Sequence, residues 1–94
     1  MNFVITTTRQ YRKAFSKFAH SGRFKDLEKV KACLVFLEND IPLPPRYRSH
    51  RLLGEYADIF ECHIAFDVLL MYKIDREIGL VTLVNLGSHP ELFD

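Results

Sequence analysis

The hydrophobic residues of the N-terminal part recur first at the spacing of a strand and then at that of a helix. Residues 3 to 7, FVITT, are apolar and β-branched, which predicts a short first strand. From about residue 8 to residue 19 the large apolar side chains return every three or four positions, as on a core-facing helix. Thr7 or Thr8 is placed to cap this helix, and Gly22 suits the left-handed conformation that ends one.

A second helix is predicted from about residue 25 to residue 38. Its apolar stripe repeats at helical intervals: Leu27, Val30, Leu34 and Leu37. Residues 39 to 50 show no such repeat, and three closely spaced prolines exclude a helix there: Pro42, Pro44 and Pro45. Directly after the prolines, basic side chains alternate with an aromatic ring and an imidazole: Arg46, Tyr47, Arg48, His50 and Arg51.

From Gly54 onward the hydrophobic period changes to that of a strand. The stretch at 58–67, DIFECHIAFD, alternates two sets of side chains. We expect one set to face the core (Phe60, Cys62, Ile64, Phe66) and the other to face outward (Glu61, His63, Ala65, Asp67). Residues 68 to 74 are apolar on both faces, as in a central strand, and residues 80 to 89 form the last strand. The order predicts an α+β fold: a small antiparallel (mixed) sheet with two N-terminal helices packed on one face.

This arrangement leaves one face of the sheet for a site. If both helices cover one face, the free face carries Glu61, His63 and Asp67. The last strand adds residues of a single parity that are expected on the same face: Asn85, Gly87 and His89. Titratable side chains gathered from two strands predict a functional site rather than a core.

Composition and charge narrow the class of protein. The chain has 94 residues, 48% of them hydrophobic, and we expect one domain over residues 1–94. Residues 1–51 hold eleven Lys or Arg against four Asp or Glu, and residues 52–94 hold two against eight, so a nearly neutral chain has a basic half. Without a signal peptide or a long apolar stretch, we expect a cytoplasmic protein with no membrane segment and with Cys33 and Cys62 reduced and buried.

The second half of the chain resembles a known family. The segments RSHRLLGEY, FECHIAFDVLLMYKID and NLGSHPELF are similar to those of the RelE/YafQ family of bacterial type II toxins, and most similar to its YafQ branch. The resemblance covers residues 48 to 93 by motif and the two helices by pattern. Members of this family are small ribonucleases that cleave mRNA on the ribosome and are neutralised by a cognate antitoxin.

The resemblance implies a RelE-like toxin fold, an mRNA interferase activity and a toxin–antitoxin hetero-oligomer. It also implies metal-independent chemistry without a cofactor, in which the 2′-hydroxyl of RNA attacks the adjacent phosphorus and leaves a 2′,3′-cyclic phosphate. The functional residues that it carries over by position are His50, Glu61, His63, Asp67, His89 and Phe93.

Imidazoles suit this chemistry because they gain and lose protons near neutral pH. Asp67 or Glu61 is expected to act as the base or to orient it, and His89 or His50 is expected to protonate the leaving oxygen. His63 would relay a proton or hold the phosphate, while Phe93 would stack on a base. The expected RNA-binding positions are Arg46, Arg48, Arg51 and Asn85.

Three positions depart from the family pattern. Phe60 and Phe66 stand where the family has Arg and Pro, and Asn85 replaces an Arg that helps to hold the scissile phosphate. Because Asn has no charge, its presence predicts a weaker nuclease. Two alternatives therefore stay open. One is a module that mainly binds the antitoxin and RNA, and the other is a metal-dependent hydrolase with ligands from four residues: His50, His63, Asp67 and His89.

Overall fold

The computed structural model describes residues 2–93 and arranges them as a five-stranded mixed sheet with three α-helices. The strands are β1 (Val4–Thr7), β2 (His50–Arg51), β3 (Phe60–Ala65), β4 (Val68–Asp75) and β5 (Leu80–Gly87). The helices are α1 (Arg9–Ala19), α2 (Phe24–Glu38) and α3 (His89–Phe93), with 3-10 turns at Pro45–Tyr47 and Gly54–Tyr56. Within residues 2–93 no helix is long and apolar enough to cross a membrane.

The strands lie in the order β1-β5-β4-β3-β2. β1 runs parallel to β5, and the other neighbouring strands are antiparallel. β4 is the central strand, and its first five residues are all buried, which explains why the sequence is apolar on both faces there. The predicted α+β fold, with helices packed against a mixed sheet, is confirmed.

Both N-terminal helices are fixed to the sheet by the residues that the sequence pattern selected. α1 begins after Thr8, whose hydroxyl oxygen accepts from the Tyr11 backbone N–H at 3.0 Å and donates to the carbonyl of Val84 in β5 at 2.7 Å. α2 buries Val30, Cys33 and Leu37 against the sheet. Cys33 and Cys62 are free and fully buried, with their sulfur atoms 3.7 Å apart, so the predicted burial is confirmed.

The face of the sheet opposite α2 is not free, contrary to the expectation from the sequence. Leu70 pairs with Cys62 on the helix-covered side, so Leu69 and Met71 point the other way. Both are nevertheless buried, at 3% and 5% exposure. α3 packs against β5, and Ile59 in the segment before β3 is also buried. Polar side chains on this second face therefore lie among apolar neighbours rather than in open solvent.

Candidate active site

β2 and β3 bring a histidine and a carboxylate together. His50 lies opposite Glu61 in the strand register, and its Nε2 atom is 3.5 Å from Glu61 Oε1. Glu61 was expected to face solvent, but it is only 4% exposed, because its face of the sheet is covered around Met71, its partner on β4. The His50 side chain is half exposed. Glu61 can therefore act on a substrate only through His50.

The second carboxylate oxygen of Glu61 has no hydrogen-bond partner in the described part of the chain. Oε2 is buried and accepts no hydrogen bond from the side chains and backbone groups that the structure describes. A buried carboxylate with an unmet oxygen is costly unless a positive charge lies nearby. His50 is the group placed to supply that charge when it is protonated.

The other nitrogen of His50 is held by the preceding loop. Nδ1 lies 2.9 Å from the carbonyl oxygen of Arg48, and since a carbonyl only accepts, Nδ1 carries a proton. Arg48 adopts the left-handed conformation, with φ 48° and ψ 42°, at the end of the 3-10 turn. Tyr47 is 3% exposed and packs edge-on against Phe36 at 6.0 Å, which anchors this turn to α2. The loop therefore fixes the orientation of the His50 ring.

His63 completes a compact group on this side of the sheet. It lies two residues after Glu61 on β3, is partly buried, and its ring centre is 6.4 Å from that of His50. We call His50, Glu61 and His63 the histidine cluster. It contains two imidazoles, a side chain suited to proton transfer, and one buried carboxylate next to His50.

Asp67 does not join this cluster, although the sequence pattern placed it in the same row. A bulge between His63 and Ala65 ends the regular alternation, and Phe66 and Asp67 form the turn into β4. Phe66 is consequently fully exposed, so its predicted place in the core was wrong. The Asp67 carboxylate instead binds Arg23, whose Nη2 lies 2.9 Å from Oδ1. These hydrogen bonds from the guanidinium hold the pKa of Asp67 below its usual range.

Arg23 was not identified from the sequence. It precedes α2, donates to Asp26 as well as to Asp67, and lies 5.6 Å from the centre of the Phe18 ring. The hydrogen bonds to both carboxylates, with that to Asp67 the larger effect, raise the pKa of Arg23. Its contact with Asp67 spans 44 residues of sequence, and no local motif signals such a pair.

α3 positions His89 and Phe93. The predicted last strand extended to residue 89, so this helix was not expected from the sequence. Ser88 and Glu91 form a capping box: the Ser88 backbone N–H donates to Glu91 Oε1 at 2.8 Å, and the Glu91 N–H donates to Ser88 Oγ at 3.3 Å. The Ser-x-x-Glu spacing was visible in the sequence. His89 is exposed as expected, and its ring centre is 4.8 Å from that of Phe93.

The predicted RNA-binding residues fall in three places. Arg46 and Arg48 line a cleft together with His63. Arg51 follows His50 on β2 and so faces the other side of the sheet, where its guanidinium lies 5.2 Å from the centre of the Phe60 ring. Asn85 is 8% exposed, and its side-chain oxygen accepts from the neighbouring Leu86 N–H at 2.9 Å. The structure therefore brings two of these four residues to the histidine cluster.

The donor set does not fit a metal centre. In the part of the chain that the structure describes, no group of three or more His, Cys, Asp or Glu side chains is placed to hold a metal ion. The four metal ligands considered from the sequence do not lie together, because Asp67 is bound to Arg23 and His89 lies on α3.

Comparison with known proteins identifies the family. The profile described as "Bacterial toxin of type II toxin-antitoxin system, YafQ" matches residues 3–94. The mRNA interferase toxin YafQ of Escherichia coli K12 is 33% identical over 72 residues, which are 76% of each chain. The E. coli DinJ–YafQ toxin–antitoxin complex contains a chain with 32% identity and a TM-score of 0.84 over the full length of both chains. A metal-bound toxin from Helicobacter pylori is 35% identical, with a TM-score of 0.87 over 97% of this chain and 99% of that one. The chain therefore belongs to the YafQ family of bacterial type II toxins.

Proposed function

We propose that this chain is an mRNA interferase: an endoribonuclease that cleaves mRNA on the ribosome and is the toxin of a toxin–antitoxin pair. The observation that carries the proposal is His50, held between the Arg48 carbonyl and the buried Glu61, with His63 beside it. A proton-transfer group oriented by a buried carboxylate is a recurrent arrangement in acid–base catalysis. The E. coli relative is named an mRNA interferase toxin, which supports RNA as the substrate.

The proposed reaction uses the RNA as its own nucleophile. The 2′-hydroxyl loses its proton and attacks the adjacent phosphorus, and the bond from phosphorus to the 5′-oxygen breaks. The leaving oxygen takes up a proton, so the products are a 2′,3′-cyclic phosphate and a 5′-hydroxyl. The site has to supply a base, an acid and positive charge for the phosphorane, and each positioned acid or base contributes about 10²- to 10⁴-fold in rate.

The histidine cluster supplies these groups. His63, whose ring faces that of His50, accepts the proton of the 2′-hydroxyl in its neutral form. The His50 ring is held by the Arg48 carbonyl at Nδ1 and faces Glu61 with Nε2, and in this proposal its imidazolium form stabilises the charge on the phosphorane. The leaving oxygen takes its proton from His50 or from His89, and the cleavage rates of His50→Ala and His89→Ala distinguish these two donors.

α3 supplies the second wall of the site. Gly87, Leu69 and His63 lie in one row across three strands, so the start of α3 is about 10 Å from His63 along the sheet. An in-line displacement needs the base and the acid on opposite sides of the phosphorus, which suits His89 at this distance. Phe93, whose ring centre is 4.8 Å from that of His89, is 36% exposed, and we propose that a base of the RNA stacks near this ring pair.

Asp67 has a positioning role in this proposal rather than the role of the base. A carboxylate whose pKa is lowered by a guanidinium is a weak proton acceptor near neutral pH. Its contact with Arg23 instead joins the turn before α2 to the tip of the β3–β4 hairpin. That tip follows His63 on β3, so the ion pair steadies the strand that carries the base.

No metal takes part in the proposed chemistry. The H. pylori toxin has been obtained with a bound metal, but among the described residues of this chain the donor groups do not converge as a metal centre requires. The three imidazoles are sufficient for the proton transfers, so cleavage is expected to continue in the presence of EDTA.

The proposed partners are mRNA on the ribosome and a cognate antitoxin, and the proposed place of action is the cytoplasm. The E. coli relative forms a complex with the antitoxin DinJ, which supports a hetero-oligomer of toxin and antitoxin. Co-expression with the neighbouring reading frame should give a stable complex. Expression of the toxin without this partner should inhibit growth.

A second function is favoured by Asn85. The residue is buried and its oxygen is used by a backbone N–H, so it supplies no positive charge where the family carries an Arg. A member with a weakened site could act mainly by binding the antitoxin and RNA. In that case the histidine cluster would form part of a binding surface.

A cleavage assay with antitoxin-free toxin separates these possibilities. Programmed ribosomes and free RNA are each incubated with the protein, with and without EDTA, and the new RNA ends are identified chemically. The proposal predicts cleavage with 2′,3′-cyclic phosphate ends in EDTA, and faster cleavage on the ribosome. Cleavage that EDTA abolishes would point to a metal-dependent hydrolase, and RNA binding without cleavage would point to the binding module.

A further inference from the structure

A basic cleft leads away from the histidine cluster. It has a volume of about 610 Å³ and lies between α2 and the β3–β4 hairpin. Lys29, Arg46 and Arg48 line it, and His63 forms part of its wall. The cleft is therefore continuous with the proposed reaction centre.

The cleft lies along an unpaired edge of the sheet. β2 pairs with β3 only at Phe60 and Glu61, and the later part of β3, from residue 63 to residue 65, borders the cleft. The bulge between His63 and Ala65 lies in the pairing of β3 with β4, beside this edge. An open edge next to positive side chains gives an extended strand room to lie against the protein.

Phe66 stands at the far end of the cleft with its whole side chain in solvent. Its relative exposure is 101%, the highest among the large hydrophobic side chains of the described residues. The ring is not part of the hydrophobic core, so the fold of the isolated chain gains no stability from burying it. It also occupies a position where the family resemblance predicts Pro, so a structural turn residue has been replaced by an exposed aromatic ring.

We propose that this cleft is a subsite for single-stranded RNA next to the scissile phosphate, with Phe66 as the ring on which a base stacks. The inference rests on the proposed ribonuclease function. Arg46 and Arg48 would contact the backbone phosphates, and Arg46 is already held over the Tyr47 ring at 4.8 Å. Exposed aromatic rings along a basic groove are the usual means of holding single strands without sequence preference.

Charge and position favour RNA over an acidic peptide in this cleft. Glu28 also lines it, but Lys31 lies 3.7 Å from that carboxylate and offsets its charge. Lys29 is likewise 3.7 Å from Asp26, so the two arginines supply most of the free positive charge. An acidic peptide would bind to the same positive charge, but nothing would require it to lie against His63. RNA that is cut at His63 has to continue past it.

The test is the binding of a short single-stranded RNA that carries 2′-O-methyl groups and so cannot be cleaved. Fluorescence anisotropy gives Kd for the wild type, Phe66→Ala, Phe66→Leu and Phe66→Trp. Loss of one stacked base corresponds to a weakening of about 5- to 150-fold. Phe66→Ala and Phe66→Leu should both show it, and Phe66→Trp should bind as well as the wild type.

Ile78→Ala is the matched control. Ile78 is 69% exposed and lies in the turn at the other end of β4. The substitution therefore removes an exposed apolar side chain far from the cleft. This variant should bind RNA like the wild type. An RNA that lacks the stacked base should bind the wild type and Phe66→Ala equally, and a scan of abasic positions identifies that base.

The outcomes separate this inference from the proposed function. Equal Kd values for the wild type and Phe66→Ala, from a protein that cleaves RNA, overturn the subsite and leave the ribonuclease intact. A Phe66→Ala variant that loses only its affinity for the antitoxin assigns the cleft to protein docking and also overturns the inference. A protein that binds RNA through Phe66 but cuts none supports the subsite and contradicts the nuclease.

Discussion

The guanidinium of Arg23 donates to both carboxylate oxygens of Asp67, with Nη2 2.9 Å from Oδ1 and Nη1 3.5 Å from Oδ2. The pair joins the turn before α2 to the tip of the β3–β4 hairpin. These hydrogen bonds lower the pKa of Asp67, so the carboxylate keeps its charge to a lower pH than an unpaired Asp does.

This ion pair predicts a pH-dependent effect of Asp67→Asn on stability. Folding lowers the pKa of Asp67, so its contribution is fully present above the pKa of an unfolded Asp, about 3.9, and is lost as the pH falls through the lower folded value. Urea denaturation at a series of pH values should show the variant less stable than the wild type at neutral pH and equally stable in strong acid. Arg23→Gln should reduce stability in the same way, and a deficit of Asp67→Asn that persists in strong acid contradicts the account.

The capping box of α3 predicts that Glu91→Ala loosens the helix that carries His89. Loss of a capping interaction costs about 0.5–2 kcal/mol of helix stability. The Leu92 amide, which donates to the Ser88 carbonyl at 3.0 Å, should then exchange its hydrogen several-fold faster. Glu91→Gln is the control, because Gln can also close the box. It loses only the exposed contact to Lys17 at 3.4 Å, and equal exchange in both variants would show that the box is unimportant.

His89→Ala is predicted to affect activity more than stability. The side chain is exposed and outside the core, so the free energy of unfolding should change by no more than about 0.5 kcal/mol. If His89 is the general acid, cleavage should fall by about 10²-fold or more. An RNA with sulfur in place of the leaving 5′-oxygen needs no acid, and should restore the rate of this variant. A large loss of stability with unchanged cleavage would mean that His89 is structural.

Asn85→Arg is predicted to strengthen a site that lacks a cation. Asn85, Met71 and Glu61 form one row across β5, β4 and β3, about 10 Å from end to end. A guanidinium at position 85 can extend over Met71 towards the unpaired oxygen of Glu61 and the proposed position of the scissile phosphate. A charged hydrogen bond of about 1.5–3 kcal/mol corresponds to about 10- to 100-fold in rate. Asn85→Gln, which adds length without charge, should leave the cleavage rate unchanged. Equal cleavage rates for Asn85→Arg and Asn85→Gln would contradict the idea that the site is weak because it lacks a positive charge.

The sequence predicted the parts of this protein that follow from local periodicity. The stripe of Val30 and Leu37 on α2 and the apolar character of β4 were correct, because each reflects burial along one element. The alternation on β3 also holds as far as Ile64. It fails at Phe66, because a bulge changes the register and the strand ends at Ala65.

The candidate site was predictable only in part. His50, Glu61 and His63 were identified as a set, but the burial of Glu61 depends on how the second face of the sheet is covered. The pair of Arg23 and Asp67 joins distant segments, and no pattern in either segment announces it. α3 was different, since the Ser-x-x-Glu spacing of its capping box could have been read directly.

The most direct test of the central claim is the cleavage rate of His50→Ala, Glu61→Gln and the double variant, measured on RNA in EDTA. If Glu61 acts only through His50, each single substitution should lower the rate, His50→Ala by about 10²-fold or more. The double variant should then be no slower than His50→Ala, since residues that act as a unit are not additive. Rates that multiply in the double variant, or a His50→Ala variant as fast as the wild type, would contradict a ribonuclease site built on Glu61 and His50.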